Sequence, residues 1–446
     1  MISQIIFIAL FGAAVFLFTR RILFIRKNIL MGGDVDRSDR SSERWLTMTR
    51  VALGQSKMVA RPVAGILHIL VYLGFIIINI EMVEIIVDGI IGTHRVFASS
   101  LGGLYTFLIA SFEYLAFAVL ASCVIFLVRR HVLAIARFNS SEMKGWPSLD
   151  ATIILLVEIA LMFAFLSMNA ADSIAIDRGL EHYHAIGEWA FPVSQYLIPL
   201  YEGVSDGGLV MIERGMWWFH IAGVLAFLVY VSYSKHLHIF LAFPNTYYSN
   251  LNESAAMDNM AAVKKEVDLM MDPNADPFAA PAPDASVEPP RFGVKDATDL
   301  TWKQLLDAYS CTECGRCTSE CPANLTGKKL SPRKIMMDTR DRIEEIGQNR
   351  DANGGEFKTD GKSLVGDFIS EEELWACTSC QACVQACPIN ISPMGVILDM
   401  RRSLIMEESK SPESITSMFN NIENNGAPWA FPAASRGDWI NENTAE

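Results

Sequence analysis

The chain has 446 residues, 51% of them hydrophobic, and a formal net charge of −13. This acidic balance excludes a basic nucleic-acid-binding face, and no Walker loop, dinucleotide fingerprint, nucleophile elbow or zinc-protease helix occurs. The length predicts two or three domains. Apolar residues concentrate before residue 245, whereas all but one of the nine cysteines follow residue 310.

Five apolar stretches precede these cysteines, and each is long enough to cross a membrane, which takes about 20 residues. The first is followed by Arg20 and Arg21 and has no small-residue cleavage site, so it predicts an anchor rather than a signal peptide. The stretches cover residues 2–19, 62–87, 103–128, 151–171 and 212–243.

The connecting loops differ in charge. Residues 20–61 and 129–138 are rich in arginine and lysine, whereas 172–211 is acidic, with Arg178 as its basic residue before the last stretch. By the positive-inside rule, this predicts a multi-pass protein of the cytoplasmic membrane with its N-terminus outside. Everything after residue 243 is then expected in the cytoplasm.

The fifth stretch contains HIAGVLAFLVYVSYSKHLH, residues 220–238. If it is one helix, His220 and His238 lie on the same face, roughly 27 Å apart. That separation is close to the thickness of the hydrocarbon core, about 30 Å. Because an imidazole in lipid needs a partner, two aligned histidines predict axial ligands of haem b.

Depth suggests how these histidines pair. His68 lies near the cytoplasmic end of the second stretch, at the level of His238, so the two are expected to bracket one inner haem. His236 points elsewhere on the helix and is a poorer candidate. His220 has no obvious mate, which leaves one or two haems. The candidate partners of His220 are His94, His182 and His184.

Carboxylates also fall inside the apolar stretches. Glu113 and Glu158 lie well within theirs, and Glu81 and Glu84 lie farther out on the second. A carboxylate there either pairs structurally or carries protons, and both interpretations stay open.

Two motifs of the form C-x2-C-x2-C-x3-C-P, CTECGRCTSECP and CTSCQACVQACP, predict two [4Fe–4S] clusters. In such motifs the fourth cysteine ligates the other cluster. Structural zinc usually takes two spaced pairs per site, and disulfides are unfavourable in a reducing cytoplasm. The ninth cysteine, Cys123, lies in an apolar stretch and is expected to serve only in side-chain packing. One cluster is assigned Cys311, Cys314, Cys317 and Cys387, and the other Cys377, Cys380, Cys383 and Cys321.

The segments around the cysteines favour helices. Ser331 precedes Pro332 as an N-cap of the stretch SPRKIMMDTRDRIEEIG, and Ser370 is an N-cap before three acidic residues. The cluster-binding domain is therefore expected to be largely helical.

These residues carry a family resemblance. Residues 295–405 resemble the α-helical ferredoxin domains of heterodisulfide reductase and of the succinate dehydrogenase iron–sulfur subunit. The membrane half is similar to the cytochrome b subunits of respiratory nitrate reductase and membrane-bound heterodisulfide reductase. Nitrate reductases carry two ligand histidines ten residues apart on their second helix, but here Ile78 stands ten residues after His68. The fused family includes oxidoreductases linking electron-transfer flavoprotein to menaquinone.

The fold is thus expected to be an all-α membrane protein, a five-helix haem b bundle followed by a cytoplasmic dicluster ferredoxin domain. The tail contains NIENNGAPWAFPAASRGDW, which resembles the connector before a cysteine-rich CCG domain. The resemblance implies a separate CCG-domain or flavoprotein subunit that holds the soluble-substrate site. The expected boundaries are 1–248 for the cytochrome b domain, 249–294 for a Pro/Ala/Asp-rich linker, 295–405 for the ferredoxin domain and 406–446 for a partner-docking tail.

The predicted function is quinone-linked electron transfer. Electrons would pass between a soluble cytoplasmic partner and quinone or menaquinone through the two clusters and haem b, as in an oxidoreductase subunit. The catalytic residues and the direction of flow are not specified by the sequence. The alternatives are a membrane-anchored ferredoxin for metal-centre assembly or maturation, and a scaffold for another respiratory complex.

Overall fold

A computed structural model describes residues 1–442 except 182, 184–185, 188, 254–255 and 275–290. Within these residues the regular structure is helical and contains no strand, which confirms the all-α prediction.

Five helical segments are long and apolar enough to cross a membrane, as the sequence predicts. The second is interrupted at residues 79–80, so that it consists of two helices. The segments are Ile2–Ile29, Pro62–Ile91, Gly103–Val132, Trp146–Asp177 and Asp206–Val231. The helices of this half are α1 Ile2–Ile29, α2 Ser41–Met48, α3 Pro62–Ile78, α4 Glu81–Ile91, α5 Ala98–Leu101, α6 Gly103–Leu127, α7 Trp146–Asp177, α8 Asp206–Val231 and α9 His238–Tyr247.

Helix α7 lies at the centre of the bundle, between α6 and α8. Phe165 and Ala171 on this helix are fully buried. The helices alternate in direction. The start of α1 lies beside the end of α4, where the Gln4 amide donates a hydrogen bond to the Ile90 carbonyl oxygen. The other end of α1 packs on the cysteine-rich half, where Asn28 donates to the Tyr309 hydroxyl at 2.8 Å.

The prediction of a single helix over residues 220–238 is wrong. Helix α8 ends at Val231, and α9 begins at His238 after a short turn. The turn is held by Asp150 on α7, which accepts hydrogen bonds from the Ser234 hydroxyl at 2.7 Å and the Lys235 N–H at 3.3 Å. His220 and His238 therefore belong to different helices, and their spacing along the sequence does not place them on one face.

The cysteine-rich half is a small helical domain around α14 (Pro332–Ala352), which is followed by α15 (Glu371–Trp375). Ser331 and Ser370 cap α14 and α15 through their side chains, which confirms both predicted caps. The helices of the remaining chain are α10 Ala261–Met271, α11 Trp302–Ser310, α12 Arg316–Ser319, α13 Pro322–Leu325, α14 Pro332–Ala352, α15 Glu371–Trp375, α16 Ala382–Ala386, α17 Pro393–Met406, α18 Glu413–Asn425 and α19 Asp438–Glu442.

Helix α10 lies inside the segment expected to be a linker, whose residues 275–290 fall outside the described part of the chain. The tail beyond α17 contains α18 and α19, neither of which has a buried residue. Trp429 and Phe431, between them, are 60% and 64% exposed.

Candidate iron–sulfur and histidine sites

The first cysteine motif folds around a cavity. Cys311, Cys314, Cys317 and Cys387 all line it, the set assigned from the sequence to one cluster. The loop curls because Glu313 and Gly315 have left-handed backbone conformations, with φ of 54° and 71°. A Cβ at Gly315 would lie 2.5 Å from the Arg333 guanidinium, so a larger residue here would displace that side chain.

The second motif repeats this geometry. Ser379 and Gln381 are left-handed, with φ of 56° and 61°, at the positions equivalent to Glu313 and Gly315. Cys383 is buried and has Cys377, Cys321 and Cys380 as its electrostatic neighbours. The four cysteines assigned to the other cluster thus lie together. Cys380 is exposed, so this group is the one nearer to solvent.

The chemistry of the first cavity fits a cationic iron–sulfur core. Burial raises the pKa of the Cys311 and Cys387 thiols to about 12. Because metal ligands are thiolates, filling this cavity requires a strong positive charge to displace those protons.

His68 and His238 come together, with ring centroids 6.4 Å apart. The Lys235 carbonyl oxygen lies 3.1 Å from His238 Nδ1, which orients the ring and leaves Nε2 for another partner. His68 Nδ1 is buried without a hydrogen-bond partner. His236 is the third imidazole here, with its ring edge-on to that of His238 at 5.3 Å.

No other histidine of the described residues pairs with His220. His220 Nδ1 lies 3.0 Å from the Leu161 carbonyl oxygen, and its ring contacts Phe165. His94 Nε2 instead lies 3.7 Å from an Asp172 oxygen and 3.8 Å from a Glu213 oxygen. The other candidate partners, His182 and His184, lie outside the described residues.

Hydrogen bonds connect the first cavity to the His68–His238 pair. Lys235, whose carbonyl orients His238, also forms an ion pair with Glu313 at 2.5 Å, inside the first cysteine motif. Arg316 of the same motif is a charged neighbour of His68. Sequence reasoning missed Lys235, Glu313 and Arg316. The charged pair in CTECGRC is the one signal that could have pointed to them.

Comparisons with known proteins agree with this geometry. A model of the 4Fe–4S dicluster domain matches residues 310–391. The probable iron–sulfur-binding oxidoreductase FadF of Bacillus subtilis is 27% identical over 468 aligned positions, covering 99% of this chain and 61% of the relative. EtfAB:quinone oxidoreductase of Syntrophomonas wolfei is 27% identical, covering 93% of this chain and 56% of the relative. The chain is thus similar to both oxidoreductases over nearly its whole length.

Two further results complete the comparison. The probable membrane-anchored ferredoxin of Chromohalobacter salexigens is 32% identical over 163 residues, 33% of this chain and 24% of the relative. Heterodisulfide reductase C subunits of methanogens also match over about a quarter of the chain. The chain spans about three fifths of the length of the two oxidoreductases it matches throughout. No solved structure matches it.

Proposed function

We propose that the chain carries electrons between a soluble cytoplasmic redox partner and membrane quinone, through two [4Fe–4S] clusters and haem b. The observation that carries the proposal is the His68–His238 pair beside the first cysteine cavity. Two imidazoles ligating one iron, each at about 2 Å as for other imidazole–metal bonds, would have centroids roughly 6 Å apart. The observed 6.4 Å fits such a ligand pair.

The surrounding contacts also suit a haem. His238 is oriented by a backbone carbonyl, the usual arrangement for a ligand histidine. Haem b and the clusters would supply one-electron transfer when bound. His220 shares this orientation but has no described partner, so we propose one haem, at His68 and His238.

The order of carriers follows from the packing. The cavity of Cys311, Cys314, Cys317 and Cys387 adjoins the histidine pair through Arg316, whereas the second group of cysteines includes exposed Cys380. The second cluster is therefore placed to exchange electrons with a soluble partner, and the first with haem. That a relative is named EtfAB:quinone oxidoreductase supports a quinone at the membrane end and a flavoprotein at the other.

The remaining architecture belongs to the same proposal. The five-helix bundle of residues 1–248 lies in the cytoplasmic membrane with the N-terminus outside, and the cluster domain, 295–405, lies in the cytoplasm. The segment 249–294 connects them, and the exposed aromatic residues of the tail, 406–446, provide a surface for a CCG-domain or flavoprotein subunit.

The test uses purified full-length protein. Dithionite should give a reduced haem b absorption spectrum, and a quinone analogue should reoxidise it. His68→Ala and His238→Ala should each remove the haem while leaving the iron of both clusters, whereas exposed His131→Ala should change neither. Wild-type protein without a haem spectrum would contradict the proposal.

The second candidate is a membrane-anchored ferredoxin, favoured by the match to the Chromohalobacter protein of that name. It requires the clusters but neither haem nor quinone. The same experiment separates the two, because an anchored ferredoxin would have cluster absorption alone and would not be reoxidised by quinone.

A further inference from the structure

The end of the bundle away from the cysteine domain contains a concentration of buried acid. Six carboxylates there are at most 8% exposed, and Arg95, at 7%, is the buried arginine among them. His94 and Arg214 lie at the edge of this group, with side chains 16% and 38% exposed. Fully ionised, the group would carry more negative than positive charge in an apolar bundle. The members of this acid cluster are Glu81, Glu84, Asp88, Glu113, Asp172 and Glu213.

Five of the six carboxylates receive the donors that an ionised group requires. Glu113 accepts hydrogen bonds from the backbone N–H groups of Val193 and Ser194, at 2.8 and 3.0 Å. Glu84 accepts one from the Tyr105 hydroxyl at 2.6 Å. The remaining partners are the Arg95 N–H for Asp88, the Arg95 guanidinium for Asp172, and the Tyr183 hydroxyl and Arg214 for Glu213.

Glu81 differs from the other five. Its side chain is 6% exposed, and its Oε2 atom is buried without a hydrogen-bond partner. Asp172 Oδ1 is also buried without a partner, but the other Asp172 oxygen accepts a hydrogen bond from Arg95. The charged neighbours of Glu81 are Arg95 and three other acids of the cluster. A negative charge at this position would be poorly compensated, whereas a neutral carboxylic acid needs no compensating charge. A bound cation is the alternative, but no group in the described residues is arranged to hold one.

We propose that Glu81 is a protonated carboxylic acid that donates its proton to a quinone at this end of the bundle. This rests on the proposed quinone-linked function. Two electrons, delivered singly by the iron–sulfur and haem carriers, reduce the quinone, and each quinone oxygen gains one proton. The O–H bond of Glu81 breaks as one quinol O–H bond forms, and solvent returns the proton to the carboxylate. The proton of the second quinol O–H bond comes from solvent.

A line of titratable groups connects this region to the surface. Asp172 receives the Arg95 guanidinium on one oxygen, and its other oxygen lies 3.7 Å from His94 Nε2. The same His94 atom lies 3.8 Å from Glu213, whose partner Arg214 is partly exposed. The titratable groups between solvent and the charged neighbours of Glu81, Arg95 and Asp172, are therefore His94 and Glu213.

The test is redox-induced infrared difference spectroscopy on the full-length holoprotein in H2O and D2O. The wild type should show a carboxylic acid C=O band that shifts in D2O. Glu81→Gln should lose this band, whereas Glu158→Gln, at a half-buried glutamate near the middle of α7, should keep it. Glu81→Gln should also reduce quinone at least tenfold more slowly, with unchanged haem and cluster content.

The outcomes separate the two proposals. Wild-type protein that never reduces quinone overturns the proposed function, yet the band still tests the protonation of Glu81. Normal quinone reduction without the band overturns only the assignment of Glu81 as proton donor. Quinone reduction that requires added sodium overturns it too, because Glu81 would then bind a cation. If Glu81→Gln does not fold, Glu81→Asp replaces it, and an unshifted band in that variant overturns the assignment.

Discussion

Arg316 donates a hydrogen bond to the Lys57 carbonyl oxygen, with Nη1 3.0 Å from that atom. Its other terminal nitrogen donates to the Met58 carbonyl oxygen at 3.3 Å. The arginine lies inside the first cysteine motif, and the two carbonyls lie just before the helix that carries His68. Since both acceptors are backbone atoms, the contact fixes the separation of the first cysteine cavity from the histidine pair.

Arg316→Ala should therefore lengthen the distance between the first cluster and the haem. Loss of charged hydrogen bonds of this kind costs about 1.5–3 kcal/mol. The expected result is weaker magnetic relaxation of the first cluster by oxidised haem, measured by power saturation of its EPR signal, with both cofactors still present.

Arg401→Ala is the matched control, because Arg401 donates in the same way to the carbonyls of Leu374 and Cys377 beside the second group of cysteines. It should leave the first cluster's relaxation unchanged. An equal effect of both substitutions would show that Arg316 has no special part in spacing the carriers.

The exchange of the fourth cysteine between motifs can be tested with paired substitutions. Cys314→Ser with Cys387→Ser removes two ligands of one cluster, so about four iron atoms should remain per chain. Cys314→Ser with Cys321→Ser removes one ligand from each and should lower the iron content further. Iron analysis and EPR of the purified variants distinguish these results; the reverse order would mean that each motif fills its own cluster.

Local patterns in the sequence predicted much of this arrangement. The cysteine spacing, the apolar stretches and the caps at Ser331 and Ser370 depend on residues close together in the chain, which is why they could be recognised. The break between His220 and His238 could not, because it depends on Asp150, which reaches the turn from another helix. His68 was nevertheless matched to His238, since depth in the bundle alone places them at one level.

Asp150 should accordingly affect haem binding although it does not contact the histidines directly. It accepts hydrogen bonds from Tyr230, Ser234 and Lys235, and Lys235 in turn orients His238. Asp150→Asn places an amide N–H where an acceptor is needed, which costs about 1–3 kcal/mol. Haem occupancy, measured by the pyridine haemochrome spectrum, should fall roughly tenfold, the equivalent of about 1.4 kcal/mol. Thr152→Ala, on the same helix, should retain the haem, and full occupancy in Asp150→Asn would contradict this role.

Asp338 in the cluster domain predicts a pH-dependent stability. Burial raises its pKa to about 6, against 3.8 for the unperturbed group, although Lys334 lies 2.6 Å away. The folded state favours the protonated form of this aspartate. Below pH 3.8 the residue therefore does not lower the free energy of unfolding. Its ionisation lowers the free energy of unfolding increasingly between pH 3.8 and 6, and this loss reaches its full value above pH 6.

Asp338→Asn mimics the protonated form and should remove that loss. At pH 8 the variant should be more stable by about 3 kcal/mol, because one pKa unit corresponds to about 1.4 kcal/mol. At pH 5 the gain should be smaller, since the folded wild type is then largely protonated. Thermal unfolding of the holoprotein at both pH values measures the difference. Glu345→Gln, at a side chain 42% exposed, is the control and should show no such pH dependence. A gain at pH 5 equal to that at pH 8 would mean that Asp338 does not titrate between them, since its charge would then make the same contribution at both.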